Sequence, residues 1–375
     1  MDDKIQEFYK NKKILLTGHT GFKGTWLTRI LLKLGAVVTG YSLSPPTKVN
    51  LFDISNVEHH PNMTSISGDI RDIEHLKQAF TNFKPEIVIH LAAQPIVRDS
   101  YQFPLTTYST NIMGTVNLLE CIRTTSGVCS VLNVTTDKVY KNNEKEDEGY
   151  KESDPLDGFD PYSNSKSCSE LVTHSYKDSF FSDGEVRIST ARAGNVIGGG
   201  DFANDRIIPD AIRAMKNAYD EGKQEGIIFV RNPYSIRPYQ HVLEPLFVYL
   251  MIAMKQYEDK RYAGYYNVGP DDCDCVSTGK LVELFCNKWN QQPINAGSFP
   301  YASWMNKGEN NSPHEARYLK LDCSKLKTVF KWKPIWNIEK AVEETVKFSK
   351  IWMINGIIES EMDREIEEYI IKTAS

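Results

Sequence analysis

Lys13-Ile14-Leu15-Leu16-Thr17 is a short apolar run cut off by glycine, and Gly18-His19-Thr20-Gly21-Phe22-Lys23-Gly24 follows it directly. Trp26, Leu27, Ile30, Leu31 and Leu34 come next at helical spacing, and Ala36-Val37-Val38-Thr39-Gly40-Tyr41 forms a second apolar run. The order is strand, tight turn, helix, strand. Two strands joined through a helix run the same way, so this stretch commits the N-terminal part of the chain to a parallel sheet. Glycines at 18, 21 and 24 let the backbone approach a pyrophosphate at the positive end of the helix and let that helix lie close on the strand. The spacing G-x-x-G-x-x-G departs from the G-x-G-x-x-G dinucleotide pattern. The second strand ends in Ser42-Leu43-Ser44, with no acid for a ribose 2′-hydroxyl and no arginine for a 2′-phosphate. The signal by itself leaves NAD and NADP open.

Strand and helix patterns go on alternating. Ile66-Ser67-Gly68-Asp69-Ile70-Arg71-Asp72 closes another strand; Asp69 is placed to accept from an adenine amino group, and Asp72 to cap a helix starting near Ile73. Ile87 to His90 is a buried strand running through Leu91 into the small residues Ala92 and Ala93 before Gln94, which leave room for a cofactor across its carboxyl end. A long helix is expected over 105–124, strands over 128–135 and 186–193, an apolar helix over 242–255 and a last strand at 265–269. The economical fold is α/β, a doubly wound parallel (Rossmann) sheet with a smaller C-terminal α/β substrate domain. Gly194 to Asp201 breaks the alternation. The expected division is therefore 1–194 with about 236–266 in the first domain, and 195–235 with 267–375 in the second.

Composition narrows the classes of function. With 44 basic and 49 acidic residues in 375, the net charge of −5 gives no footprint for nucleic acid. Seven cysteines, at 121, 129, 168, 273, 275, 286 and 323, are odd in number and include no C-x-x-C pair, which fits reduced thiols in the cytoplasm and no metal centre. The N-terminus, Met1-Asp2-Asp3-Lys4, lacks the apolar core of a signal peptide, and no membrane span is expected.

The chemistry gathers in Thr135-Thr136-Asp137-Lys138 at the end of an apolar strand, and in Tyr162-Ser163-Asn164-Ser165-Lys166. Tyr162 and Lys166, four apart, share one helix face, where an ammonium can lower a phenol's pKa and make it a base for an alcohol. Further on, Arg206, Arg231 and Arg237 stand in polar, proline-punctuated segments and suit phosphate binding.

Gly18 to Gly24, Ala92-Ala93-Gln94-Pro95, Thr136-Asp137-Lys138, Tyr162 with Lys166, Arg192 to Asp201, Arg231 to Pro238 and Pro313-His314-Glu315 together resemble the extended short-chain dehydrogenase/reductases. Within that family the chain is most similar to the CDP-glucose 4,6-dehydratases, over nearly its whole length. The resemblance implies NAD, reduced and reoxidised within one turnover, and CDP-glucose as substrate. NAD would be held by Gly18, Thr20, Gly21, Phe22, Lys23, Gly24, Ser42, Asp69, Ile70, Leu91, Ala92, Ala93, Gln94, Thr135, Tyr162 and Lys166. The nucleotide sugar would be held by Gln94, Thr136, Asn195, Arg206, Arg231, Arg237 and His314.

In the same way, Thr136 binds the sugar's 4-hydroxyl and Tyr162 takes its proton. Lys166 keeps Tyr162 acidic, while Asp137 and Lys138 remove water across C5 and C6. A lysine at 138, where the dTDP-glucose enzymes carry glutamate, favours the CDP-sugar branch. Lys138 serves as the base at C5 only if burial or a nearby cation such as Lys166 lets it become neutral; the other reading is a structural lysine paired with Asp137. A nucleotide-sugar 4-epimerase needs no acid/base pair after Thr136, and a nucleotide sensor of this fold would not need Tyr162 or Lys166. The resemblance also implies a homodimer, or a tetramer built from it, with no membrane or nucleic-acid partner.

Overall fold

The computed structural model describes residues 2–145, 148–291, 299–308 and 318–374. Its strands are β1 (Lys13–Thr17), β2 (Val37–Ser42), β3 (Met63–Ser67), β4 (Ile87–His90), β5 (Ser130–Val134), β6 (Arg187–Ala193), β7 (Val196–Ile197), β8 (Glu225–Val230), β9 (Ile236–Pro238), β10 (Gln240–His241), β11 (Tyr265–Val268), β12 (Cys275–Ser277) and β13 (Tyr301–Asn306). Seven of them form one sheet in the order β11-β6-β5-β4-β1-β2-β3, parallel at every pairing. The winding reverses between β1 and β4, so ligands are expected beyond the carboxyl ends there.

The strands read as unbroken apolar runs because both faces are covered. Ile14, Leu16, Ile89 and Leu132 pack into a layer with helices Phe22–Lys33 and Leu243–Glu258. Leu15, Val88, Val131 and Ile188 pack into the opposite layer with helices Ile73–Phe83, Gly114–Thr124 and Pro161–Phe180. A second core, built around Ile212, Met215, Ile228, Phe285, Trp289 and Val346, lies beside the sheet with the β8/β13 and β9/β12 pairs.

Two expectations change. The helix over 105–124 is broken into Pro104–Tyr108, a wider π-type turn over Ser109–Met113, and Gly114–Thr124. The wide turn holds Asn111, whose side chain exchanges hydrogen bonds with the Gln94 backbone (2.8 and 3.1 Å) and donates to Ser165 Oγ at 2.9 Å. The expected domain division is crossed in three places. β11 carries Asn267 and Val268 into the main sheet, β9 pairs with β12, and helix Ile358–Ala374 packs through Ile366 and Tyr369 into the first core. Tertiary packing, which local pattern cannot report, decides all three.

The glycine turn is set by close approach. A Cβ on Gly18 would lie 2.7 Å from the Ala92 nitrogen, and one on Gly24 would lie 2.0 Å from the Gly18 carbonyl oxygen. At Gly21 the nearest such atom is 3.4 Å away. Overpacking against backbone cannot relax through a rotamer, so Gly24→Ala should cost about 3 kcal/mol of stability or more. Gly21→Ala should cost under about 1.5 kcal/mol, and urea unfolding of the two variants beside wild type measures the contrast.

Candidate active site

β5 delivers the reactive residues. Its chain leaves the sheet at Thr135, whose hydroxyl donates to the buried Glu170 carboxylate at 2.5 Å, and turns at Thr136 into the short helical turn Asp137–Val139. Thr136 Oγ1 donates to Asp137 Oδ1 at 2.9 Å. Asp137 is buried and its Oδ2 has no partner among the described residues. Burial pushes its carboxyl up, with Lys138, Thr136 and Arg237 opposing.

Helix Pro161–Phe180 begins at Asp160, whose side chain accepts from the Ser163 amide, and its first turns face the end of β5. Burial pushes the Tyr162 phenol up to about 12, while its hydrogen bond with Thr136 and the charge of Arg206 pull the other way. Burial brings Lys166 down to about 7, Lys23 adds to that, and Glu170 opposes it. Its Nζ donates to the Val134 carbonyl at 3.1 Å. Of the charges that lower Tyr162, Arg206 therefore stands where the sequence reading placed Lys166.

A cleft of about 1050 Å³ brings these groups together with the second core. Phe22, Lys23, Thr135, Thr136, Asp137, Lys138 and Tyr162 line it from the sheet side, and Asn195, Arg206, Arg231 and Arg237 from the other. Arg206 is paired with Asp201 at 3.0 Å and Arg231 with Asp205 at 2.9 Å. Arg237 is buried and donates to the Ile236 carbonyl at 2.8 Å.

The other expected residues sit along the carboxyl edge of the sheet. Gly21 opens helix Phe22–Lys33 with no side-chain cap, which leaves the first amides to a ligand. Thr20 Oγ1 is 2.9 Å from both Ser42 Oγ and the Leu43 carbonyl. The Leu91 and Ala92 amides reach Thr17 Oγ1 at 3.2 Å, and Ala93 follows them. Ile70 is buried against Gly114. Arg71 takes both carboxylate oxygens of Asp69, at 3.0 and 2.5 Å, because the two residues share one turn. Gln94 turns its amide nitrogen to the Ile96 carbonyl at 3.0 Å, next to Pro95 and Ile96 of the cleft wall. His314 lies outside the described residues.

Sequence reading missed the support beneath the site. Arg192 Nη2 donates to Glu170 Oε2 at 2.9 Å with both side chains fully buried, and Thr190 Oγ1 adds a bond at 2.7 Å. Burial alone would raise Glu170, but His174, Arg192 and Thr135 outweigh it and hold the carboxyl at about 2. The available signal was a glutamate one turn after Lys166 on the face that turns inward.

The sequence profile described as GDP-mannose 4,6 dehydratase matches residues 15–345. A CDP-glucose 4,6-dehydratase of Salmonella typhimurium is 44% identical over 98% of this chain and 99% of its own. Among solved structures, a dTDP-glucose 4,6-dehydratase of Bacillus anthracis in complex with NAD aligns with a TM-score of 0.71 at 21% identity, covering 90% of this chain and 96% of that one. A UDP-glucose 4-epimerase of Thermus thermophilus in complex with NAD aligns at 0.73 and 22%, covering 90% and 99%. The two structures share the fold at low identity, whereas the profile spans residues 15–345 and the Salmonella relative nearly the whole chain, and on that ground the chain belongs to the GDP-mannose 4,6 dehydratase family.

Proposed function

We propose that this chain converts CDP-D-glucose to CDP-4-dehydro-6-deoxy-D-glucose and water in one redox-neutral cycle, with NAD reduced and reoxidised within the turnover. The observation that carries this is Asp137: a buried carboxyl beside Thr136, in the same cleft as Tyr162 and Lys138. A 4-epimerase has no use for that carboxyl. The relative at 44% identity supports the choice of CDP-glucose.

The residues fit a dinucleotide. The uncapped helix start at Gly21 and the backbone crowding at Gly18 and Gly24, where a side chain has no room, form a cradle for a pyrophosphate. NAD, when bound, supplies the electron acceptor at C4 and later the donor at C6. Gly18, Thr20, Gly21, Phe22, Lys23, Gly24, Ser42, the strand end Leu91 to Gln94, Thr135, Tyr162 and Lys166 would hold it. Asp69, its carboxylate paired with Arg71, would accept from the adenine amino group with its remaining lone pairs.

Thr136 orients the sugar's 4-hydroxyl and Tyr162 accepts its proton. The resulting 4-ketone acidifies C5–H. Lys138 takes the C5 proton, and Asp137, whose buried carboxyl favours the protonated form, donates to the departing C6 oxygen. Arg206, Arg231 and Arg237, with Asn195, hold the diphosphate. The free cysteines support a reducing, cytoplasmic setting, and no described helix is long and apolar enough to cross a membrane.

A homodimer is supported by the apolar side chains that helices Pro104–Tyr108 and Pro161–Phe180 and the turn between them leave exposed: Leu105, Met113, Leu171 and Phe180. Sedimentation should show a dimer at micromolar protein; monomer alone at that concentration refutes it.

Two kinetic experiments test the reaction. Purified protein given CDP-glucose should form a 4-keto sugar, seen by its absorbance in base. Lys138→Met should still oxidise C4 and show transient NADH, but lose solvent deuterium incorporation at C5 and accumulate no product. Dehydration near the wild-type rate would remove Lys138 from the mechanism. Arg237→Ala should raise KM about tenfold or more with a smaller change in kcat, the mark of binding shared by ground and transition states. An unchanged KM places Arg237 away from the diphosphate.

A further inference from the structure

β10 ends in His241, and its imidazole meets the last helix of the chain, Ile358–Ala374. His241 Nε2 lies 3.3 Å from Glu365 Oε2, with both side chains fully buried. The approach is not a formed hydrogen bond: neither Glu365 oxygen, nor the imidazole Nε2, has a partner among the described residues. Trp336 and Trp26 wall the imidazole, at 4.7 and 6.4 Å between ring centroids, so the pair sits in apolar surroundings. The Leu243 amide faces His241 Nδ1 at 3.4 Å.

The charged groups around the pair are engaged with one another. On the same helix, Arg364 binds Glu344, Glu361 at 2.6 Å and Glu368 at 3.0 Å. From helix Ile338–Met353, Lys340 binds Glu344 at 2.5 Å and Glu368 at 2.9 Å, and Lys347 lies 3.6 Å from Glu361. Helix Phe22–Lys33 sends Arg29 and Lys33 to Glu359, Asp363 and Glu367. Glu244, on helix Leu243–Glu258, accepts from Tyr369 at 2.9 Å. An ionised Glu365 would be a third carboxylate beside Glu344 and Glu361, all within 4.8 Å of one another, with no donor of its own. A carboxyl group in that position neutralises.

We propose that Glu365 is a neutral carboxylic acid in the folded protein, and that its proton is the condition on which helix Ile358–Ala374 closes over β10. Burial, with Glu344 and Glu361, pushes Glu365 up from its ordinary 4.5, and Arg364 and Lys347 oppose it; burial pushes His241 down from 6.5 to about 3, with Lys340 and Arg364 adding to it. Unfolding therefore moves the proton from carboxyl to imidazole. Between pH 4.5 and 6.5 the pair holds one proton in either state, and its contribution to stability is level. Above 6.5 the unfolded imidazole is neutral while the folded carboxyl keeps its proton, so the unfolding constant climbs about tenfold per pH unit until Glu365 ionises. β10 pairs with β7, whose Val196 and Ile197 line the cleft, so the proton secures the cleft from behind.

Two measurements on wild type and Glu365→Gln test this. At neutral pH the infrared spectrum of wild type should carry one protonated-carboxyl stretch, above the amide absorption, that the variant lacks. Spectra that match there overturn the proposal, which is also the result if an imidazolium faces an ionised Glu365. The amide resembles the acid in shape and lack of charge, so the variant should fold; a variant that does not fold overturns the proposal too. In urea unfolding from about pH 7 to about pH 9, the ratio of the wild-type unfolding constant to that of the variant should rise about tenfold per pH unit. Glu244, pushed up to about 7, titrates in both proteins and cancels. A constant ratio overturns the proposal. Neither measurement uses CDP-glucose or NAD, so failure of the proposed reaction leaves both results standing.

Discussion

Beneath the reactive threonine lies a carboxylate that no water reaches, and the geometry of the site depends on it. Glu170 accepts from Thr135 at 2.5 Å, Thr190 at 2.7 Å and Arg192 at 2.9 Å, so a single side chain of the tyrosine helix ties down the ends of β5 and β6. Arg192 carries the tie outward, donating to Tyr140 Oη at 2.8 Å and the Glu152 carbonyl at 3.1 Å. Tyr140 passes it on to Asn267 of β11 at 2.5 Å. A buried ion pair of this kind adds little to stability against an apolar substitute, but losing one partner leaves an uncompensated charge and costs about 3–5 kcal/mol. Its return is placement: Thr136, Asp137 and Tyr162 keep one arrangement because their supports have no water to turn to.

The cleft divides its labour between two bodies. The sheet side carries the titratable and hydroxyl groups, Thr136, Asp137, Tyr162 and Lys166, at strand ends. The other side is cationic, with Arg206, Arg231 and Arg237 each on a different loop or short strand. The bodies are stitched behind the cleft: Trp26 Nε1 donates to the Gly199 carbonyl at 3.0 Å, and a Cβ on Gly199 would meet Phe348 at 1.9 Å. Chemistry and recognition thus meet on a seam already closed at its back.

What the sequence disclosed follows from how local its causes are. The glycine turn, the apolar strands and the Tyr162/Lys166 face are short-range patterns, and each lies where the pattern puts it. The break at Ser109–Met113 was hidden, because it answers to Asn111 reaching across to Gln94 and Ser165 rather than to any helix-breaking residue. The pairing of Asp69 with Arg71, two residues on, was not foreseen either. The expected domain division is crossed where distant parts of the chain meet, as in the pairing of β9 with β12. The Glu170–Arg192 pair stayed invisible for a like reason: the partners are 22 residues apart, on a helix and a strand whose facing the sequence does not state.

Helix Ile358–Ala374 lies against the first helix of the β-α-β unit. Arg29 is bound by Asp363 at 2.6 Å and Glu359 at 2.8 Å, and Ile366 and Tyr369 share a core with Trp26 and Leu246. The helix that opens the sheet is thus covered by a segment 330 to 334 residues further along the chain. Until that helix docks, the layer holding Trp26 and Leu246 exposes apolar surface, so closing the sheet waits on a contact between distant parts of the chain.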